Sequence, residues 1–185
     1  MGKKAERIAI LLFAALMALA ASLLSASPSQ ASETACSRLE KAAPHGFFLS
    51  RPPQLYGTAE RKLKDGSIFD FMDGGGVAYL EHGFVGLFHA EYADGRGGEV
   101  TLDAFAMGSA AGAREALADE RICPAGGSPL AFDREGRAYR FPPDYFLYMA
   151  IGDRLVYLHV NDDRQSGILD RFAVEVRSIV RKEDP

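Results

Sequence analysis

A chain of 185 residues with 25 acidic against 21 basic side chains carries a net charge of −4, which excludes a nucleic-acid backbone as partner because that requires a basic surface. Hydrophobic residues make up 48% of the chain and charged residues 25%, the balance of one packed domain rather than of a disordered segment. Two cysteines exclude a disulfide-dense scaffold, and without a Cys-x-x-Cys they exclude a paired-thiol redox centre.

Residues 1–31 begin with Lys3, Lys4 and Arg7, continue as an apolar run over 8–24, and close on small residues with Ser29 and Ala31 three and one positions before a cut after Ala31. This is the pattern of a signal peptide, so a periplasmic or secreted protein is expected. An uncleaved anchor is the alternative, but a run of 17 residues rich in alanine lies at the lower limit for a spanning helix. A lipid on Cys36 is a second alternative, and the charged Glu33 three residues before it speaks against that processing. These are the membrane attachments the sequence offers. Cleavage leaves 154 residues, 185 less 31, with 18 basic against 24 acidic side chains and a net charge of −6. In an oxidising compartment the remaining pair, Cys36 and Cys123, is expected to form a disulfide, with two unpaired thiols as the alternative.

Residues 32–66 form an N-terminal segment punctuated by Pro44, Pro52 and Pro53, with a short helix near 34–43 and then an irregular approach. Residues 67–185 are expected to form a single domain. Its opening stretch places Asp73 as the N-cap of a helix over 74–82, closed by Gly83, the residue type that best adopts the left-handed conformation after a helix. Val77, Leu80 and Phe84 are expected to pack that helix on the following sheet. Gly74, Gly75 and Gly76 allow another backbone or a ligand to approach closely, which makes Asp73, Gly74, Gly75, Gly76 and Tyr79 binding candidates.

Residues 84–92 alternate in polarity, as do 99–107, and the glycine-rich turn between them predicts an antiparallel hairpin. Ser109 caps a helix over 110–121. Strands follow at 137–141, 145–151 and 155–161, the last two joined by Gly152-Asp153, and the apolar spacing of Ile168, Phe172, Val176, Ile179 and Val180 predicts a closing helix over 165–182.

The segment FMDGGGVAYLEHGF, followed by EVTLDAFAMGS and an alanine-rich helix, resembles the shared core of a family of exported bacterial proteins of unknown function. Members carry an aromatic, an Asn-Gly pair, a Tyr-Leu run ending in Gly-Phe, and Met-Gly-Ser before a helix. Asp73 stands here for the usual Asn and His82 for a common aromatic. The resemblance implies an exported protein with this core; it implies no activity and no catalytic residue.

The expected order is α-β-β-α-β-β-β-α. Hairpin-linked strands with helices segregated to one side imply an α+β fold, an antiparallel sheet of about five or six strands with helices mainly on one face.

Asp70, Asp73 and Glu81 could do acid-base work or bind calcium, but capping and exposure explain them and the calcium-loop spacing is missing. His89, Glu91 and His159 could meet as zinc ligands, against the default of polar residues on an outer sheet face. No nucleophile or metalloenzyme motif occurs, so no catalytic residue, metal or cofactor is assigned. Alternation places Phe146 and Tyr148 opposite Tyr145, Leu147 and Met149. Aromatics on an uncovered face, Tyr148 and Tyr157 above all, point to a non-enzymatic module that binds a small apolar ligand or a periplasmic protein. The rival is a metal-dependent or acid-base enzyme built on the Asp73–His82 cluster.

Overall fold

Alternating side chains that bury one face of a strand and leave the other for a second partner generate a sheet with a layer on each side, and this chain forms such a sheet. A computed structural model describes residues 39–182. Strands β1 (Phe48–Leu49) and β2 (Gln54–Tyr56) precede two short helices, α1 (Ile68–Met72) and α2 (Gly76–Glu81), separated by a 3-10 turn at Asp73–Gly75. The hairpin β3 (Phe84–Ala93) and β4 (Glu99–Met107) leads to α3 (Ala110–Ala118). Strands β5 (Ser128–Leu130), β6 (Asp133–Phe141), β7 (Asp144–Ile151) and β8 (Arg154–Val160) then precede α4 (Ser166–Arg181). The expected α+β class with an antiparallel sheet is observed. The sheet has eight strands rather than five or six, ordered β1-β3-β4-β8-β7-β6-β5 with β2 also on β3.

β1, β2 and β5 are the strands the sequence reading lacked. Each is two or three residues long, too short for a period of two to show, and each exists because a longer neighbour offers its edge. Pairing of β4 with β8 joins the N-terminal hairpin to the C-terminal strands, with Asp103 opposite Tyr157. On β7, Tyr145, Leu147, Met149 and Ile151 are buried while Phe146, Tyr148 and Ala150 are only partly so. The expected alternation holds residue for residue.

Helices lie on both faces, which corrects the expected one-sided arrangement. Leu169, Phe172, Ala173, Val176 and Val180 of α4 pack with Leu102, Leu147 and Leu158 in one core. Ile68, Ala78, Tyr79, Ala113 and Ala116 of α1, α2 and α3 pack with Leu87, Phe105 and Leu155 in a second. The three helices α1, α2 and α3, none longer than nine residues, together roof one end of the second face.

The opening of α2 differs from expectation at Asp73. Its backbone adopts φ 47°, ψ −134°, a region that L-residues avoid, and no side chain caps the helix that begins at Gly76. Ser67 and Asp70 supply the capping instead, one turn earlier: Asp70 Oδ2 accepts from the Ser67 backbone N–H and from its hydroxyl, both at 2.8 Å, at the start of α1. Val77 is 47% exposed, whereas Gly76, Ala78 and Tyr79 are buried. The inner face of α2 is set by Gly76, where a Cβ would come 2.9 Å from Ile68. Gly83 closes the helix with φ 81°, as expected. Phe84 packs with the second core, while Phe88, Ala90 and Tyr92 pack with the first, because a register shift between Phe84 and Gly86 turns the strand over.

Of the N-terminal helix expected near 34–43, residues 34–38 lie outside the described residues, as does the signal peptide, and within 39–43 only Leu39 is helical, followed by a turn at 40–41. Cys123 is a free, buried thiol facing the Tyr139 hydroxyl at 3.3 Å, and Cys36 lies outside the described residues, so the expected Cys36–Cys123 disulfide is not among their bonds. No helix among the described residues is long and apolar enough to cross a membrane.

Candidate functional site

The register across β3, β4, β8, β7 and β6 lines up successive rows of side chains on the face that α1, α2 and α3 partly roof. One row runs His89, Asp103, Tyr157, Tyr148, Arg137, and the next Glu91, Thr101, His159, Phe146, Tyr139. The helices cover the part of the face next to Leu155 and Phe105, and beyond them these two rows, with Phe146, Tyr148 and Tyr157 half-buried, continue the face as its floor.

Aromatic rings make its floor continuous. Tyr148 and Tyr157 lie 4.9 Å apart, Phe146 is 5.9 Å from Tyr157, and Tyr139 stacks on Phe146 at 5.0 Å. Phe141 extends the line at 5.9 Å from Phe146 and is 61% exposed, among the most exposed large apolar side chains described. Tyr148 stands at 87° to both Tyr139 and Phe146, so the floor is corrugated and offers ring faces and ring edges together. Tyr79 of α2 stacks on Phe105 at 4.3 Å and forms the roof.

At the β3 end of the row, His89 and Asp103 form a buried pair. Their side chains meet through Nδ1 and Oδ1 at 2.6 Å, and the residues are 5% and 6% exposed. On the other side of the imidazole, Nε2 lies 3.2 Å from Glu91 Oε1 and 3.3 Å from Arg51 Nη2, and Arg51 reaches Glu91 at 2.5 Å. Burial pushes the imidazole down, but the two carboxylates outweigh it and raise His89 above its ordinary value. Burial raises the Asp103 carboxyl against the pull of His89. The Phe71 ring, 5.0 Å from the imidazole, closes this end. His159 pairs separately with Asp144 at 2.7 Å, so it does not join His89 and Glu91, the grouping weighed as a zinc alternative. Among the described residues no group of three or more His, Cys, Asp or Glu is placed to hold a metal.

Tyr79, Tyr148 and Tyr157 thus come together, while the other candidates do not join them. Asp73, Gly74 and Gly75 are exposed in the 3-10 turn, and Gly76 is occupied by its contact with α1. His82 Nε2 lies 2.8 Å from Asp119 Oδ2, and Arg121 binds Asp119 and Glu81 at 2.6 Å each, a network that ties the end of α2 to the end of α3. Glu81 and His82 thus hold the end of this segment to the end of α3. Sequence reasoning missed Asp103 as a site residue because it sits among apolar neighbours with no partner nearby in the chain; its parity with Thr101 and Phe105 on β4 was the available signal.

No protein-family model and no curated protein matches the chain. Among solved structures it is similar to the crystal structure of the extracellular domain of PknH from Mycobacterium tuberculosis, with a TM-score of 0.45 and 9% identity over 88% of this chain and 94% of that one.

Proposed function

We propose that this chain is an exported, non-enzymatic binding module and that the trough floored by Phe146, Tyr148 and Tyr157 takes a small apolar molecule. The observation that carries the reading is the continuous set of half-buried rings on a face whose other end is roofed by α1 to α3. Rings spaced 4.9 to 6.2 Å apart already satisfy one another in part, yet each leaves surface that water must cover. Removing that surface from water favours binding by roughly 25 cal/mol per Å2. Export is supported by the leader at residues 1–31 and by the resemblance carried by FMDGGGVAYLEHGF.

The test is titration with the uncharged fluorescent probe N-phenyl-1-naphthylamine. The full chain is expected to bind one equivalent. Tyr148→Ala combined with Tyr157→Ala is expected to weaken it at least about tenfold, since aromatic contacts contribute about 0.5 to 1.5 kcal/mol each beyond burial. Unchanged affinity in a variant that keeps its circular dichroism would refute the assignment.

A further inference from the structure

We propose that this face selects a flat, uncharged apolar molecule bearing a hydrogen-bond acceptor such as a carbonyl oxygen, and that the hydroxyls of Tyr79, Tyr148 and Tyr157 are the donors that read it. The proposal rests on the binding reading above and specifies the chemistry of its ligand.

Tyr79 is 8% exposed, and a phenol at that depth normally has a hydrogen-bond partner. The Tyr139 hydroxyl donates to the Pro124 carbonyl and the Tyr145 hydroxyl to Asp170 Oδ1 at 2.8 Å, whereas that of Tyr92, on the opposite face, is enclosed with no partner among the described residues. The hydroxyls of Tyr79, Tyr148 and Tyr157 have none among the described residues. They also belong together. Tyr157 stands opposite both Asp103 on β4 and Tyr148 on β7, and Tyr79 stacks on Phe105, two residues along β4 from Asp103. The charge of Asp103 raises all three phenols, after the larger effect of burial, and Tyr148 and Tyr157 act on Tyr79 in the same way. Tyr148 is pushed up to about 12, so the group remains a donor across the physiological range.

Three donors on one aromatic face, with no acceptor among the described residues, can be met by one from the ligand. A carboxylate ligand is disfavoured because it would bring a second negative charge next to Asp103, whose own is already met by His89 at 2.6 Å. A neutral oxygen on an aromatic body satisfies both the hydroxyls and the rings.

The test compares naphthalene, 2-acetonaphthone and 2-naphthoate as ligands of the purified full chain, followed by tyrosine emission, which no tryptophan obscures. The ketone is expected to bind about tenfold more tightly than naphthalene, and the naphthoate no more tightly than naphthalene. Replacing the three tyrosines by Phe should abolish the preference for the ketone while leaving naphthalene affinity unchanged. Tyr148→Phe alone, at a half-buried position, should reduce that preference and serves if the triple variant fails to fold. Equal binding of ketone and naphthalene by the unmodified chain, a preference that survives the Phe variants, or tightest binding of the naphthoate would each overturn the proposal while leaving an apolar trough intact. Binding of neither naphthalene nor the ketone would overturn the trough reading as well.

Discussion

At Asp73 the side chain and the backbone make opposite demands. As a helix cap the carboxylate would be worth about 0.5 to 2 kcal/mol, but it caps nothing, and its φ of 47° with ψ of −134° is a conformation in which a non-glycine residue costs of order 1 to 3 kcal/mol. Asp73→Gly is therefore expected to raise the unfolding free energy measured by denaturant titration, by up to about 1 kcal/mol after the added freedom of the unfolded chain is counted. A loss of stability would restore the capping role. The neighbouring glycines separate in the same way. A Cβ on Gly74 meets nothing within 4 Å, whereas one on Gly112 would sit 2.3 Å from the His82 carbonyl oxygen. Gly74→Ala should be neutral or stabilising, and Gly112→Ala should cost more than about 2 kcal/mol, because backbone rather than a movable side chain stands in the way.

His89 makes stability depend on pH. An imidazole whose folded value is raised above 6.5 binds its proton more tightly when folded, so its contribution is fully present below about pH 6.5 and is lost as the pH rises through the folded value. Melting temperature should therefore fall as the pH is raised from about 6.5 through the folded value. The double variant His89→Gln, Asp103→Asn should flatten that dependence, since Asp103 is not left buried and unpaired. A slope unchanged in the double variant would assign the effect elsewhere.

Among the elements, the long strands and α4 were legible because seven or more residues repeat their period: β7 alternates throughout, and α4 buries Leu169, Phe172, Ala173, Val176 and Val180. The short helix α2 was legible as a helix closed by Gly83, but its buried face was not. Six residues span less than two turns, and the buried face depends on where Ile68 comes to rest, a contact that local spacing does not encode. The corrected face has a direct consequence. Val77→Lys should change stability by less than about 0.5 kcal/mol, because Val77 faces water. A loss above about 2 kcal/mol would show that Val77 packs on the sheet after all. The cap of α3 was legible, since Ser109 Oγ accepts from the Gly112 N–H at 3.0 Å and depends only on residues three apart.

For the molecule as a whole, the decisive relation is one between strands. Alternation along β7 and β8 showed that Tyr148 and Tyr157 leave the first core, but their meeting with Tyr79 and Asp103 arises from the pairing of β4 with β8, which sets Asp103 opposite the sequence-distant Tyr157. The same pairing leaves Tyr92 and Tyr145 on the opposite face with α4, where Tyr92 meets Phe172 at 5.6 Å and Tyr145 bonds Asp170. The two faces thus provide their own control. Ring resonances of tyrosine-labelled protein, titrated with 2-acetonaphthone, test the central claim most directly. The account predicts saturable shifts at Tyr79, Tyr148 and Tyr157 with Tyr92 and Tyr145 unmoved; shifts confined to Tyr92 and Tyr145, or none at any tyrosine, would contradict it.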